Sequence, residues 1–312
     1  MNVRGAKRFA VRIGGVALSI LAAGCSGSTG SLLATNTIPG TAQAASALSA
    51  HSSSKLYVST LDGGSVVVYS TNTFTLLQTI TDGVPRPGGV WADNRGVFYA
   101  VNVPDQSYQT SLPEYKPGAG APFRTITNGI VNAGNVAVDS NENVYVTGVR
   151  TQDASIFLEI YPRGQMTPAE TLTVPHTGLG AAAGLAFDAT GALLVGESLF
   201  GKVKGAVYRL PAGSQTFTNL DLKKAPGGAI ALDSAGNLYA GGNNSVVVYP
   251  PSSQTPARTI DVQQGVSAIA VDASGELYVG TFGAVAVYAP GAKKPTTSLS
   301  IPGHAGGLAL SP

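Results

Sequence analysis

One pattern recurs six times along this chain at a spacing near 40 residues, and it constrains the fold more than any other feature. Each copy opens with a short apolar stretch, strand a, at residues 89–93, 135–139, 184–188, 229–233, 268–272 and 307–311, so the starts lie 46, 49, 45, 39 and 39 residues apart. The first five are followed by a turn and a second strand, b, as in VDSNENVYV (138–146), LDSAGNLYA (232–240) and VDASGELYV (271–279). Nothing follows the sixth. Its missing partner lies at the other end of the repeat region, where LYVST (56–60) is a b strand with no a strand before it. Third and fourth strands complete each unit. The c strands carry Tyr69, Tyr115, Tyr161, Tyr208, Tyr249 and Tyr288, and d strands are expected at residues such as 76–81, 123–127, 257–262 and 296–301.

Four short strands per unit and six units predict an all-β fold, a six-bladed β-propeller of four-stranded blades. The C-terminal a strand is expected to complete the first blade, a split closure that removes the open sheet edges of a linear array. Side-chain size supports the alignment. First and third positions of strand a are small (Gly184 and Ala186, Ala229 and Ala231, Ala268 and Ala270), whereas second and fourth are large (Leu185 and Phe187, Ile230 and Leu232, Ile269 and Val271). Alternation of period two puts the sets on opposite faces, so a bulky face can meet a small one and the blades can converge on an axis. The supply of turn formers fits: 40 glycines and 19 prolines occur without the three-residue period of collagen.

The D-x-x-G-x-L-Y-V signature, read in full from Asp272 to Val279, resembles the NHL-repeat and gluconolactonase-like propeller group over residues 56–312. That is a signature of fold and not of activity. The gluconolactonase-like resemblance implies a divalent cation held near the axis by acidic and amide side chains, for which Glu197, Asn102, Asn135 and Asn243 are the candidates. Streptogramin-lyase-like propellers share the general repeat, but their tryptophan-containing b-strand signature is absent. The sequence also holds no G-x-S-x-G, Walker loop, H-E-x-x-H or C-x-x-C.

Ahead of the repeats, Arg4, Lys7, Arg8 and Arg12 precede an uncharged apolar run at 13–24, the layout of a secretory signal and too short to span a bilayer. Removing those four cations turns a balance of 19 basic to 17 acidic residues into 15 to 17, so the formal +2 belongs to the export segment and no global basicity argues for nucleic-acid binding. The single cysteine, Cys25, follows Leu21-Ala22-Ala23-Gly24, which resembles the lipobox of bacterial lipoproteins, with Ala22 where leucine is commonest. A buried free cysteine and a signal ending elsewhere are the alternatives. The resemblance implies lipidation of Cys25 and a membrane anchor in the cell envelope, at the outer membrane if the envelope is Gram-negative, because Ser26 follows the cysteine. The expected division is 1–24 signal peptide, 25–54 lipidated cysteine and tether, and 55–312 propeller. A Ser/Thr/Ala/Gly tether of 29 residues reaches roughly 30 Å.

Asp93, Asp139, Asp188, Asp233 and Asp272 end successive a strands, and a ring of carboxylates invites a metal reading. Each precedes a hairpin turn in which an aspartate bonds nearby backbone N–H groups, and that structural reading is preferred. Loop lengths point to a functional rim. Aspartate to the end of strand b spans nine residues in all five blades, whereas the end of b to the c tyrosine spans 9, 13, 13, 11, 7 and 7. Insertions over the second to fourth blades, with a long d-to-a segment at 174–183, mark that rim as the expected binding face.

Tyr108, Arg150 and His176 belong to it, with Gln152, Asp153, Lys202 and Lys204 nearby. Glu197 is the only ionisable group among the residues that end the b strands. Trp91 replaces an alanine found in the other five a strands. The expectation is that Trp91, Tyr108, Arg150, His176 and Glu197 border one ligand site; filling a wedge between blades is the other reading of Trp91. The leading function is a non-enzymatic, lipid-anchored binding or scaffold module for a protein, peptide, glycan or small molecule, with no cofactor. The alternative is a metal-assisted hydrolase or lyase with an axial pocket.

Overall fold

A computed structural model describes residues 54–103, 109–176, 180–199, 205–224 and 227–312, with the backbone alone at Leu199. The signal, Cys25, nearly all of the tether, Tyr108, Lys202 and Lys204 lie outside the described residues. Among those described the fold is all-β, and every strand pairing is antiparallel.

The first strands are β1 (Lys55–Thr60), β2 (Ser65–Ser70) and β3 (Leu76–Ile80). Four blade-like sheets follow, each running in chain order from its a to its d strand. One comprises β4 (Pro87–Ala92), β5 (Phe98–Asn102), β6 (Leu112–Tyr115) and β7 (Arg124–Ile126), and the next β8 (Ala133–Val138), β9 (Val144–Val149), β10 (Ile156–Tyr161) and β11 (Glu170–Val174). Then come β12 (Gly180–Phe187), β13 (Leu193–Leu199), β14 (Ala206–Leu210) and the short β15 (Thr218–Asn219), followed by β16 (Ala229–Leu232), β17 (Leu238–Gly242), β18 (Ser245–Tyr249) and β19 (Arg258–Asp261). The last strands are β20 (Ala268–Val271), β21 (Leu277–Gly280), β22 (Phe282–Tyr288) and β23 (Thr297–Ser311).

The final sheet departs from expectation. In place of separate strands at 296–301 and 307–311, the chain runs through one 15-residue strand, β23, with Gly303 at φ 75° in its middle. Its first part pairs with β22 (Val287↔Thr297 to Ala284↔Ser300), and its second part pairs with β1 (Ser59↔Gly307 to Lys55↔Ser311). Two four-stranded units therefore share one strand in a seven-stranded sheet, and the unpaired C-terminal a strand meets the orphan b strand. The segment expected as loop at 174–183 is also partly strand, because β12 begins at Gly180. Register shifts fall at the entry of four a strands, between Pro87 and Val90, Ala133 and Asn135, Ala182 and Gly184, and opposite Ser59/Thr60. Bulges there add bend and twist where the innermost strands begin.

Large and small faces interlock between consecutive units. Ala309 faces a core with Val90, Ala137 one with Leu185, Ala186 one with Ile230, Ala231 one with Ile269, and Ala270 one with Leu308. At the remaining junction the alanine position holds Trp91, against Val136 and Val138. The a strands contact one another in succession, β4 to β8, β8 to β12, β12 to β16, β16 to β20, β20 to β23 and β23 back to β4.

The recurring polar residues are turn and junction chemistry. Oδ1 of each strand-a aspartate accepts the N–H groups two and four residues on, at 2.8–3.0 Å: Arg95 and Val97, Asn141 and Asn143, Thr190 and Ala192, Ala235 and Asn237, Ser274 and Glu276. The residue three after the aspartate is left-handed, glycine in four turns and Glu142, at φ 65°, in the other. Hydroxyls of the c tyrosines staple neighbouring units. Tyr69 donates to the Ser300 carbonyl (3.1 Å), Tyr115 to Asp82 (2.7 Å), Tyr161 to Asn128 (3.0 Å), and Tyr249 to Lys224.

Candidate functional site

The insertion-rich rim holds a depression where the loop after β7 meets the start of β10. Its wall comprises Val131, Val149, Arg150, Gln152, Phe157 and Glu159. Alternation along IFLEIY puts Phe157, Glu159 and Tyr161 on one face of β10, the face turned toward the preceding sheet through the bond from Tyr161 to Asn128. Gly129 belongs under that hydroxyl. Its φ is 87°, and a Cβ there would stand 2.9 Å from the Tyr161 oxygen and 3.0 Å from Pro168. The loop after β9 is turned by Ala154 N–H bonding to the Arg150 carbonyl, and the half-buried Arg150 side chain lies over the Phe157 ring, 5.9 Å from its centroid.

Glu159 is 7% exposed, and its Oε2 lies 2.8 Å from the Tyr161 hydroxyl. Burial pushes its carboxyl above the ordinary glutamate range; the Tyr161 hydrogen bond and the charge of Arg150 oppose that without cancelling it. The Tyr161 hydroxyl donates to Glu159 Oε2 at 2.8 Å and to the Asn128 carbonyl at 3.0 Å. The hydroxyl therefore ties the Glu159 carboxyl on its own strand to the Asn128 carbonyl of the preceding unit.

The residues expected to share one site are distributed as follows. Trp91 is half-buried at the aspartate-turn end of β4, packed edge-on against Phe187 with ring centroids 6.1 Å apart. Arg150 and Glu197 stand at the other end of their sheets, Glu197 pairing across to Ala182 and Ala206. Five residues of extended strand separate Ala182 from Phe187, roughly 17 Å at ~3.3 Å per residue, so Trp91 is not beside them. Its position is the wedge between units, contributing to two adjacent cores. Glu197 is wholly buried, with the Tyr208 hydroxyl 3.4 Å from its carboxylate; burial first, and that carboxylate second, push the phenol up to about 12. His176 is exposed just after β11. Among the described residues expected at the site, Arg150 alone lines the depression.

Two of the amides expected at a divalent cation donate their N–H groups within the fold. The Asn135 Nδ2 donates to the Ala182 carbonyl, and that of Asn102 donates to the Gly83 carbonyl and the Ser111 hydroxyl, while the buried Asn102 Oδ1 has no hydrogen-bond partner. Asn243 is exposed with φ 47°, and its carbonyl accepts the Val266 N–H. Among the described residues no three His, Cys, Asp or Glu side chains converge as metal ligands. A hard cation wants 6–8 oxygens, and Glu197 is the one carboxylate in this set.

Glu159 and Phe157 escaped the sequence reading. The signal available was an acid inside an apolar run, on the same period-two face as a column tyrosine.

No family model matches the chain, and no curated protein matches it. Among solved structures it is similar to a chain titled Kuenenia stuttgartiensis Hydrazine Synthase, at 13% identity with a TM-score of 0.55, over 76% of this chain and 93% of that one. With 948 solved chains matching, likeness to one of them carries the fold and no chemistry. The sheets and this likeness define a β-propeller-like all-β protein.

Proposed function

We propose that the chain is a six-bladed β-propeller of the NHL-repeat and gluconolactonase-like kind, lipid-anchored through Cys25 outside the cytoplasm, which binds a ligand or partner at one rim and catalyses nothing. The closed ring is supported by arithmetic on the cores. Six units in a row have five junctions and a closed ring has six, and six inter-unit cores occur, the last one formed where β23 is shared. The export signal and lipobox-like sequence support the address.

The observation that carries the binding reading is the depression beneath Arg150, which joins a half-buried cation, a buried carboxyl and an exposed amide on the insertion-rich rim. A thermal-shift screen of the full chain against small acids, sugars and short peptides tests it. The expected result is a class of compound that raises the unfolding midpoint of the wild type and not of Arg150→Ala, and is recovered chemically unchanged. Conversion of the compound would overturn the non-enzymatic reading; shifts equal in the variant would move binding elsewhere.

A further inference from the structure

We infer that the depression beneath Arg150 recognises a carboxylate, presented by a small organic acid or by the free C-terminus of a peptide. This rests on the reading of that rim as the binding face. Among the described residues Arg150 has no salt-bridge partner, although Arg95 has two and Arg124, Arg163 and Arg209 each have one. Its guanidinium is held by the Phe157 ring beneath it, which fixes a planar fork of donors at the wall of the depression. That fork matches a carboxylate with two parallel hydrogen bonds.

The surroundings narrow the choice. Gln152 adds an exposed amide, while Val131, 45% exposed, and Val149 offer an apolar flank for the stem that carries the acid. Arg150 already covers the face of Phe157, so that ring is not free to stack on a sugar. With Glu159 protonated, the one cation at the depression balances one negative charge. A dianion would leave its second charge uncompensated.

Glu159 makes the site sensitive to pH. It faces Tyr161 on its own strand and Arg150, with Asp153 beside it, on the loop after β9; across β11 its register partner is Thr171, and the 128–131 segment brings backbone and apolar groups. Glu170 pairs with Ile160 and so belongs to the opposite face of the sheet. Protonated and bonded to Tyr161, Glu159 leaves Arg150 open to the ligand. Ionised, it competes for the guanidinium and repels an anion.

Isothermal titration of the full-length chain in detergent, at about pH 5 and about pH 8 to bracket a raised glutamate, tests this. The probes are N-acetylleucine, its primary amide, hexanoate and inorganic phosphate. N-acetylleucine, hexanoate or both should bind at the lower pH and at least about tenfold more weakly at the higher, and the amide should not bind. Binding of N-acetylleucine alone assigns the site to peptide C-termini, and of hexanoate alone to free acids. Arg150→Gln should lose at least about tenfold with an unchanged melting midpoint, whereas Glu159→Gln should bind equally at both pH values. The inference is overturned if the amide binds as well as the acid, if phosphate binds more tightly than either acid, if Arg150→Gln binds like the wild type, or if neither acid binds at millimolar concentration. In that last case the rim still counts as a binding face if uncharged compounds pass the Arg150→Ala screen, and both readings fail if none do.

Discussion

At the scale of single residues, Glu142 shows two local demands pulling against each other. Its turn calls for a left-handed residue, which the other four strand-a turns supply as glycine, yet here a glutamate stands at φ 65°. Its carboxylate pairs with Arg95 at 2.5 Å and Arg163 at 3.1 Å, bridging the turn of the preceding sheet and a turn of its own. Both arginines are largely exposed, and pairs of that kind contribute about 0–1 kcal/mol each, whereas left-handed backbone costs a residue with a Cβ about 1–2 kcal/mol. The two effects are comparable. Glu142→Gly should therefore hold its stability close to the wild type, and Glu142→Ala, which loses the ion pairs and keeps the strained backbone, should fall about 1 kcal/mol below the glycine variant in urea unfolding. Equal midpoints for the two variants would mean that the backbone conformation costs nothing at this turn.

At the scale of strands and their junctions, the c tyrosines do what backbone pairing cannot, since no ladder runs from one of the four-stranded sheets to the next. Tyr115 is fully buried, packs against Phe98, and donates across the junction to the Asp82 carbonyl. Tyr115→Phe keeps the ring and deletes the bond to the exposed Asp82, so the expected loss is about 0.5–1.5 kcal/mol, the net range for an ordinary hydrogen bond. Chemical denaturation measures it. A loss below a few tenths of a kcal/mol would show that water replaces the phenol at Asp82 and that the staple contributes nothing.

For the whole molecule, the proposed closure rests on the last residues. The second part of β23 carries Leu308 and Ala309 into two different cores and covers the edge of β1. Deleting residues 307–312 removes that strand from both junctions, and the lost leucine burial alone is on the order of 3–5 kcal/mol. Trimming a frayed tail costs almost nothing by comparison. The truncated chain should melt far below the wild type or fail to fold, as circular dichroism against temperature would reveal. An unchanged midpoint would refute a closed ring.

Much of this was legible in sequence because it is local or periodic. The four-stranded units, the aspartate turns and the tyrosine column each follow from spacing, alternation and turn chemistry within about 40 residues, and so did the pairing of an orphan a strand with an orphan b strand. Arg150 was legible as a rim residue because loop length is written in the chain. Its partners were not. Glu159 and Val131 reach the depression from different elements, and whether an acid inside an apolar run is buried, solvated or neutral depends on which sheet packs against it. The same reason separates Trp91 from the rim. Sequence marks it as the odd residue in its column, but only the packing of consecutive sheets decides that its indole fills a wedge against Phe187, at the opposite end from Arg150. Short-range backbone preference and period-two patterning determine the elements. Contacts between distant segments, which no local pattern encodes, decide what those elements enclose.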